Sequence, residues 1–248
     1  MPEIAVLGLG EAGGRLAADL VAAGADVRGY DPDPGRGGTV PSAQEAVAGA
    51  DVVLSANAAT AAVAAAESAL PALGENAIYA DLNTASPAMK KELAAIAGIR
   101  FADVALLGPV PEKGLGTPAL ASGPGAEAFA AALRPLGMPV EVVSDRAGDA
   151  AEMKLLRSVF MKGLAASAIE SVDAAERAGH ADWLRGEIAG VIGEPLLDRL
   201  LVGSRKHAAR RVDEMDAARD LLLELGVEPR VAAASAALLS ELSTTEER

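Results

Sequence analysis

The sequence predicts a doubly wound α/β domain with a parallel sheet, followed by an all-helical domain. Three observations carry this reading. Short apolar runs alternate with helix-like segments through residues 1–145, the pattern of successive βαβ units. The first run, Ile4 to Leu7, leads straight into a glycine turn and a helix-like segment. From about Ala147 strand signals stop, and residues 148–178 hold helical periodicity without proline, with Gly163 as the only glycine between Gly148 and Gly179. The expected division is 1–146 and 147–248.

Taken in order, a second strand over Asp26–Tyr30 is followed by a loop rich in Pro32, Pro34, Gly35, Gly37 and Gly38. A short helix is expected at 42–48, a buried strand at 51–55, an alanine-rich helix at 60–69 and a strand at 77–81. Asn83 to Pro87 leads into a helix ending near 97. Strands at 100–107, 120–122 and 140–143 surround a helix at 127–133. Ligands of such a sheet sit beyond the carboxyl ends of its strands. The helix over 148–178 would be roughly 45 Å long. Helices at 181–192, 195–202, 204–225 and 229–242 follow, with Gly226 and Pro229 as stop and restart. Residues 243–248 are expected to fray.

Composition narrows the class. Hydrophobic residues make up 51% of the 248 and aromatics 2%, so the core must be built from Ala, Val, Leu and Ile. The net charge of −13 argues against nucleic acid as a partner, although a local pocket can still hold an anion. There is no cysteine, hence no thiol nucleophile or disulfide, and His180 and His207 lack zinc spacing, so no metal is expected. With no signal peptide and no apolar run of transmembrane length, a cytoplasmic protein without a membrane partner is expected.

The segment Gly8-Leu9-Gly10-Glu11-Ala12-Gly13 spaces its glycines as G-x-G-x-x-G. Gly8 would permit a tight turn, Gly10 would let a pyrophosphate reach bare backbone, and Gly13 would let the helix pack close to the sheet. The helix start adds unpaired N–H groups and a positive dipole end. With 26 glycines in the chain, the pattern alone is weak, and an ordinary βαβ turn would also produce it. Its context strengthens it. Asp31 ends the second strand 23 residues after Gly8, near the spacing of about 20 for the acid that holds the adenosine ribose. The six residues 8–13 and Asp31 are therefore read as a Rossmann-type dinucleotide site. Asp31 favours NAD, since a carboxylate repels a 2′-phosphate, while Arg36 leaves NADP open. Asn57 and Thr84, at strand carboxyl ends, are read as cofactor contacts, with helix capping as the alternative.

Three further segments stand out: Asp81-Leu82-Asn83-Thr84-Ala85-Ser86-Pro87, Asp103-Val104-Ala105-Leu106-Leu107-Gly108-Pro109, and Gly148-Asp149-Ala150-Ala151-Glu152-Met153-Lys154. With the glycine turn, and over nearly the whole chain, they resemble the β-hydroxyacid dehydrogenase family of the 6-phosphogluconate dehydrogenase-like superfamily. The runs 108–111, 153–158 and 207–215 are similar to a short bacterial branch of NAD(P)-dependent oxidoreductases with a C-terminal domain of unknown function. The resemblance implies Thr84 beside the nicotinamide, Gly108 in the substrate loop and Lys154 as the catalytic lysine. It departs from the family in two places. The usual Ser-Gly-Gly of the substrate loop is Leu107-Gly108-Pro109, which loses a hydroxyl and an N–H donor. Ser158 stands where the family has Asn, four residues after the lysine. The family's substrate is therefore not carried over.

From the residues alone, Lys154 is either a solvated lysine on an amphipathic helix or a proton carrier with its pKa lowered from about 10.4 by desolvation. The resemblance selects the second. Ser158, at i+4, is read as a partner of that lysine or of substrate, or as a neutral helix position. Lys162, two turns on, is expected at the surface, with the cleft shared by Lys154 as the alternative, and Trp183 in helix packing. The basic run 205–211, placed on one helix, offers His207 and Arg211 as a clamp for an anionic substrate group. The alternative is a solvated face with Arg210–Glu214 or Arg211–Glu214 pairs. The expected function is hydride transfer between NAD(P) and a small hydroxy-acid-like or related polar substrate. An imine or other carbonyl-like reductase and a non-catalytic NAD(P) sensor are the rivals. Apolar faces left on the helical domain imply a homodimer.

Overall fold

The computed structural model describes residues 1–246, without the side chains of Ile99, Arg210, Thr245 and Glu246. The chain divides into two compact units, Met1–Lys154 and Leu155–Arg248. The division falls inside the long helix, eight residues after the 146/147 boundary expected from the sequence.

The first unit alternates β1 (Glu3–Leu7), α1 (Glu11–Ala22), β2 (Asp26–Tyr30), α2 (Ala43–Val47), β3 (Val52–Ser55), α3 (Ala62–Ala69), β4 (Ile78–Asp81) and α4 (Pro87–Ala97). It continues through β5 (Phe101–Leu106), α5 (Val110–Lys113), β6 (Ala119–Ser122), α6 (Ala126–Leu133), β7 (Val140–Ser144) and the start of α7 (Asp149–Ala178). The seven strands lie in the order β2-β1-β3-β4-β5-β6-β7. All neighbouring pairs are parallel except β5 and β6. The β5–β6 link holds only the four-residue α5 and a tight turn, too little for a helical crossover, so the chain returns antiparallel.

Alternate strand residues feed two cores. Ile4, Val6, Val52 and Leu54 pack with Leu16 and Leu20 of α1 and Phe129 and Leu133 of α6. Ala5, Leu7, Val53, Tyr79 and Phe101 face α2, α3 and α4 through Val47, Ala66 and Leu93. Helices on both faces explain why the central strands read as unbroken apolar runs. The chain leaves β1 for one side of the sheet and β3 for the other. The crevice at their carboxyl ends is thus the switch point where such sheets bind ligands.

In the second unit, Leu155 joins Met215, Ala218 and Leu221 of α10 (Ala208–Glu224) and Ala232 and Leu239 of α11 (Arg230–Glu246). Further along α7, Ala168, Ile169 and Val172 pack with Leu197 and Leu201 of α9 (Glu194–Lys206), and α8 (Ala181–Ile192) adds Ile188 and Ile192. Several expectations are corrected. Gly203 does not end a helix: α9 runs through it because Leu200, Leu201 and Ser204 share one buried face. The break comes at His207, so the basic run 205–211 straddles two helices instead of lying on one. Of the tail expected to fray, 243–246 continue α11, and 247–248 lie outside the described residues. Trp183 is exposed instead of packed.

The motif glycines differ in what they require. A Cβ on Gly13 would sit 1.9 Å from the Gly8 carbonyl oxygen, whereas one on Gly10 would meet only the flexible Arg36 guanidinium at 2.7 Å. Gly13→Ala is therefore expected to cost about 3 kcal/mol, the upper range of overpacking. In a chain of this length that lowers Tm by about 6–12 °C. Gly10→Ala should leave Tm near wild type, and thermal unfolding by circular dichroism separates the two.

Candidate functional site

The glycine turn is built by two strands at once. Gly8 adopts φ +95°, the left-handed region that glycine alone enters without strain. A Cβ there would also stand 2.4 Å from the Ala56 carbonyl oxygen after β3. The Gly8 N–H donates to Tyr30 O at 2.8 Å, and the Ala56 N–H to Leu7 O at 2.8 Å. No side chain caps α1, whose N-cap is Gly10, so its first-turn N–H groups face the crevice without a side-chain acceptor.

Asp31 lies beside this turn, with its carboxylate 7% exposed. One oxygen accepts the Leu9 N–H at 2.7 Å and the other the Asp33 N–H at 2.9 Å. A carboxylate has about four acceptor positions, so lone pairs remain for ribose hydroxyls. The Arg36 guanidinium is 3.8 Å from Asp31 and reaches over Gly10. Bare backbone at Gly10, an uncapped helix start and a carboxylate at the end of β2 together fit a dinucleotide. Glu11, Ala12 and Gly13 form the first helical turn of this cradle.

At the carboxyl ends of β3 and β4 lies a polar network. The Asn83 amide donates to Asp81 at 2.5 Å and to Asn57 Oδ1 at 2.9 Å, and Ser55 donates to Asn57 at 3.0 Å. Neither Asn57 nor Thr84 caps a helix; Ser86 caps α4 by accepting the Met89 N–H at 3.2 Å. Thr84 is instead exposed on the rim, where its Oγ1 accepts a 2.7 Å hydrogen bond from Lys154 Nζ. Lys154 reaches this point because Ala150 and Ala151, one turn earlier on α7, are buried against the sheet unit. Gly108 lies half-buried in the link between β5 and α5.

Beneath the rim sits a buried cation that the sequence reading missed. Lys90 of α4 is 1% exposed. Its Nζ lies 2.5 Å from Asp81 Oδ2, 2.9 Å from Asp81 O and 3.2 Å from Asp103 Oδ1. Burial alone would lower the Lys90 ammonium, but the Asp81 and Asp103 carboxylates outweigh it and hold it above its ordinary range. The other Asp103 oxygen accepts the N–H groups of Gly148 at 3.2 Å and Ala151 at 3.0 Å, at the positive end of α7. Ser122 completes that cap, taking the Ala150 N–H at 3.0 Å. The signal was present: Asp81 and Asp103 interrupt apolar strands, and Lys90 shares the buried face of α4 with Pro87 and Leu93.

In the second unit, Ser158 is buried and donates to Glu214, which also pairs with Lys162 at 3.0 Å; Lys162 donates to Ser158 at 3.4 Å. Lys162, expected at the surface, is thus drawn inward. Burial lowers its pKa, Arg211 and Arg157 add to the effect, and Glu214 opposes it. Arg211 donates to Ser204 at 2.6 Å, and His207 sits half-buried at the helix break. The side chain of Arg210, one of the expected Glu214 partners, lies outside the described residues. The structure brings Gly8, Gly10, Asp31, Asn57, Thr84 and Lys154 to the carboxyl rim of one sheet. Ser158, Arg211 and His207 belong to the helical unit.

Fold and site define a dinucleotide-binding α/β protein with a helical C-terminal region. Residues 3–137 match the NAD binding domain of 6-phosphogluconate dehydrogenase, and the chain belongs to that family. NAD(P) is accordingly the dinucleotide this domain takes. Residues 175–242 match a domain of unknown function, DUF1932. A conserved hypothetical protein from Sinorhizobium meliloti is 30% identical, with a TM-score of 0.76 over 97% of this chain and 88% of that one. The conserved protein MTH1747, of unknown function and described as structurally similar to 3-hydroxyacid dehydrogenases, is 28% identical, with a TM-score of 0.75 over 98% and 97% of the two chains. An uncharacterized 28.5 kDa protein of Methanothermus fervidus is 31% identical over 156 residues, a match that spans 61% of each chain. Among the described residues, no helix is long and apolar enough to cross a membrane.

Replacing Lys90 by Met would leave two buried carboxylates without their cation. Breaking such a pair costs about 3–5 kcal/mol, and urea unfolding at neutral pH should show that loss for Lys90→Met. Because the Lys90 value is raised on folding, its contribution is complete below about pH 10.4 and is lost only above its folded value. Wild type should therefore lose it only in strongly alkaline solution.

Proposed function

We propose that the chain is an NAD(P)-dependent oxidoreductase of the β-hydroxyacid dehydrogenase type, acting on a small hydroxy-acid-like or related polar substrate. The observation that carries this is the Lys154 amine on the sheet's carboxyl rim, hydrogen-bonded to Thr84 at 2.7 Å. Family membership supplies the dinucleotide, and the similarity of MTH1747 to 3-hydroxyacid dehydrogenases supports the substrate class.

The nicotinamide, when bound, supplies or accepts the hydride. In the reductive direction the Lys154 ammonium donates a proton to the carbonyl oxygen; in the oxidative direction the neutral amine takes the hydroxyl proton. The Thr84 oxygen holds the amine at the rim, and the bare backbone at Gly10 with the α1 N-terminus takes the pyrophosphate. Asp31 accepts from the adenosine ribose and disfavours a 2′-phosphate, so NAD is the preferred form. Gly108, Ser158, His207 and Arg211 are assigned to the substrate, the last two to an anionic group.

The test is a panel of 3-hydroxy acids, keto acids and cyclic imines, followed by NADH and NADPH absorbance. Turnover of a hydroxy or keto acid, faster with NAD(H), is expected. Lys154→Ala should lower kcat by about 10²–10⁴-fold, the range of general acid–base catalysis, with NADH affinity unchanged. Full turnover in Lys154→Ala overturns the mechanism, turnover of imines alone overturns the substrate class, and NADH binding with no turnover favours a sensor.

The same reading includes a homodimer. Met153, Leu156 and Phe160 of α7 are exposed at i, i+3 and i+7, an apolar stripe along one helix face. A second copy of this chain would cover it. Sedimentation should show a dimer at micromolar concentration that Phe160→Glu converts to monomer; a monomeric wild type would overturn this.

A further inference from the structure

We infer that Lys90 is a positioning residue: its ammonium, shared by Asp81 and Asp103, fixes the spacing between the Thr84 hydroxyl and the Lys154 amine. Each of the Lys90 ammonium contacts given above ends on one of two segments. One is the end of β4, where Lys90 holds both the carboxylate and the carbonyl of Asp81, three residues before Thr84. The other is Asp103, whose second oxygen fixes the N–H groups of Gly148 and Ala151, and Ala151 is three residues before Lys154. Asn83 ties the first segment further, through Asp81 and Asn57.

Packing alone does not account for this arrangement. A buried ion pair is often no more stabilising than apolar side chains of the same volume. An apolar residue at position 90 would fill the space between α4 and the sheet. It could not grip two backbone segments at once in fixed directions. The cation sits where the rim contact needs its two halves held at a constant separation.

The functional meaning rests on the proposed role of Lys154, but the test reads position without turnover. In the full chain, the rate of Lys154 acetylation by acetic anhydride is measured by mass spectrometry, with Lys206 as internal reference. Asp103→Asn retains a carbonyl oxygen for the α7 amides but turns its NH2 toward Lys90, so the ammonium loses its hold on this segment; circular dichroism checks that the variant folds before labelling. Thr84→Val removes the acceptor directly. A hydrogen bond to the ammonium favours the charged form, so its loss raises reactivity. Each single variant should accelerate Lys154 labelling about threefold, and the double variant should add little, as expected for groups in one network. Lys90→Met should match Asp103→Asn; if it does not fold, Asp103→Asn decides. Unchanged labelling in Asp103→Asn, or fully multiplicative effects in the double variant, would overturn the inference. Failure of the dehydrogenase reading would appear separately, as full turnover in Lys154→Ala.

Discussion

A single buried ammonium is shared by two carboxylates on adjacent strands, and the geometry of the rim depends on it. Asp81 closes β4 and Asp103 lies in β5, both inside apolar strands where an unpaired charge would be prohibitive. Lys90 makes their burial tolerable. The same carboxylate of Asp103 then has an oxygen to spare for the α7 N-terminus, where aligned peptide dipoles favour a negative charge. A sheet, the helix beneath it and the helix that leaves it are thereby joined at one point, and Thr84 and Lys154 stand on either side of that point.

The other half of the site is made by absence. At the switch point between β1 and β3, Gly8 and Gly13 are glycines because backbone atoms of Ala56 and Gly8 occupy the space of a side chain. Gly10 is different: protein backbone does not crowd it, and its bare Cα faces the region where α1 begins uncapped. Two glycines thus serve the fold, and the third leaves room for the pyrophosphate proposed there. Asp31 belongs to both, since its oxygens order the Leu9 and Asp33 backbone and still hold lone pairs toward the crevice.

Much of this was legible in the residues. Local signals of period two and 3.6, with glycine and proline as punctuation, placed the strands and helices of the first unit within a few residues, except the four-residue α5, and α8 at 181–192. They failed where tertiary packing overrode local preference. Gly203 reads as a break, yet the buried face around it keeps α9 intact, and the break falls at His207, which has no breaker chemistry. The antiparallel β6 was hidden because strand direction depends on connection length, not on the strand's own residues. In the site, the glycine turn and Asp31 could be read because their spacing is local. The Lys90–Asp81 pair is nine residues apart but joins a helix to a strand, and Lys162–Glu214 joins two helices, so the periodicity of no single element reveals them; the clue was only that charges occupied buried positions.

The central claim is that the dinucleotide crosses the glycine turn and brings its reactive ring to the Thr84–Lys154 contact. A crystal structure of the chain with NADH tests it most directly. The account predicts the pyrophosphate against the backbone of Gly10, the adenosine ribose on Asp31, and the nicotinamide beside Thr84, with room for a substrate oxygen about 3 Å from the Lys154 amine. A nicotinamide bound away from Thr84, or a pyrophosphate that avoids the α1 N-terminus, would contradict it.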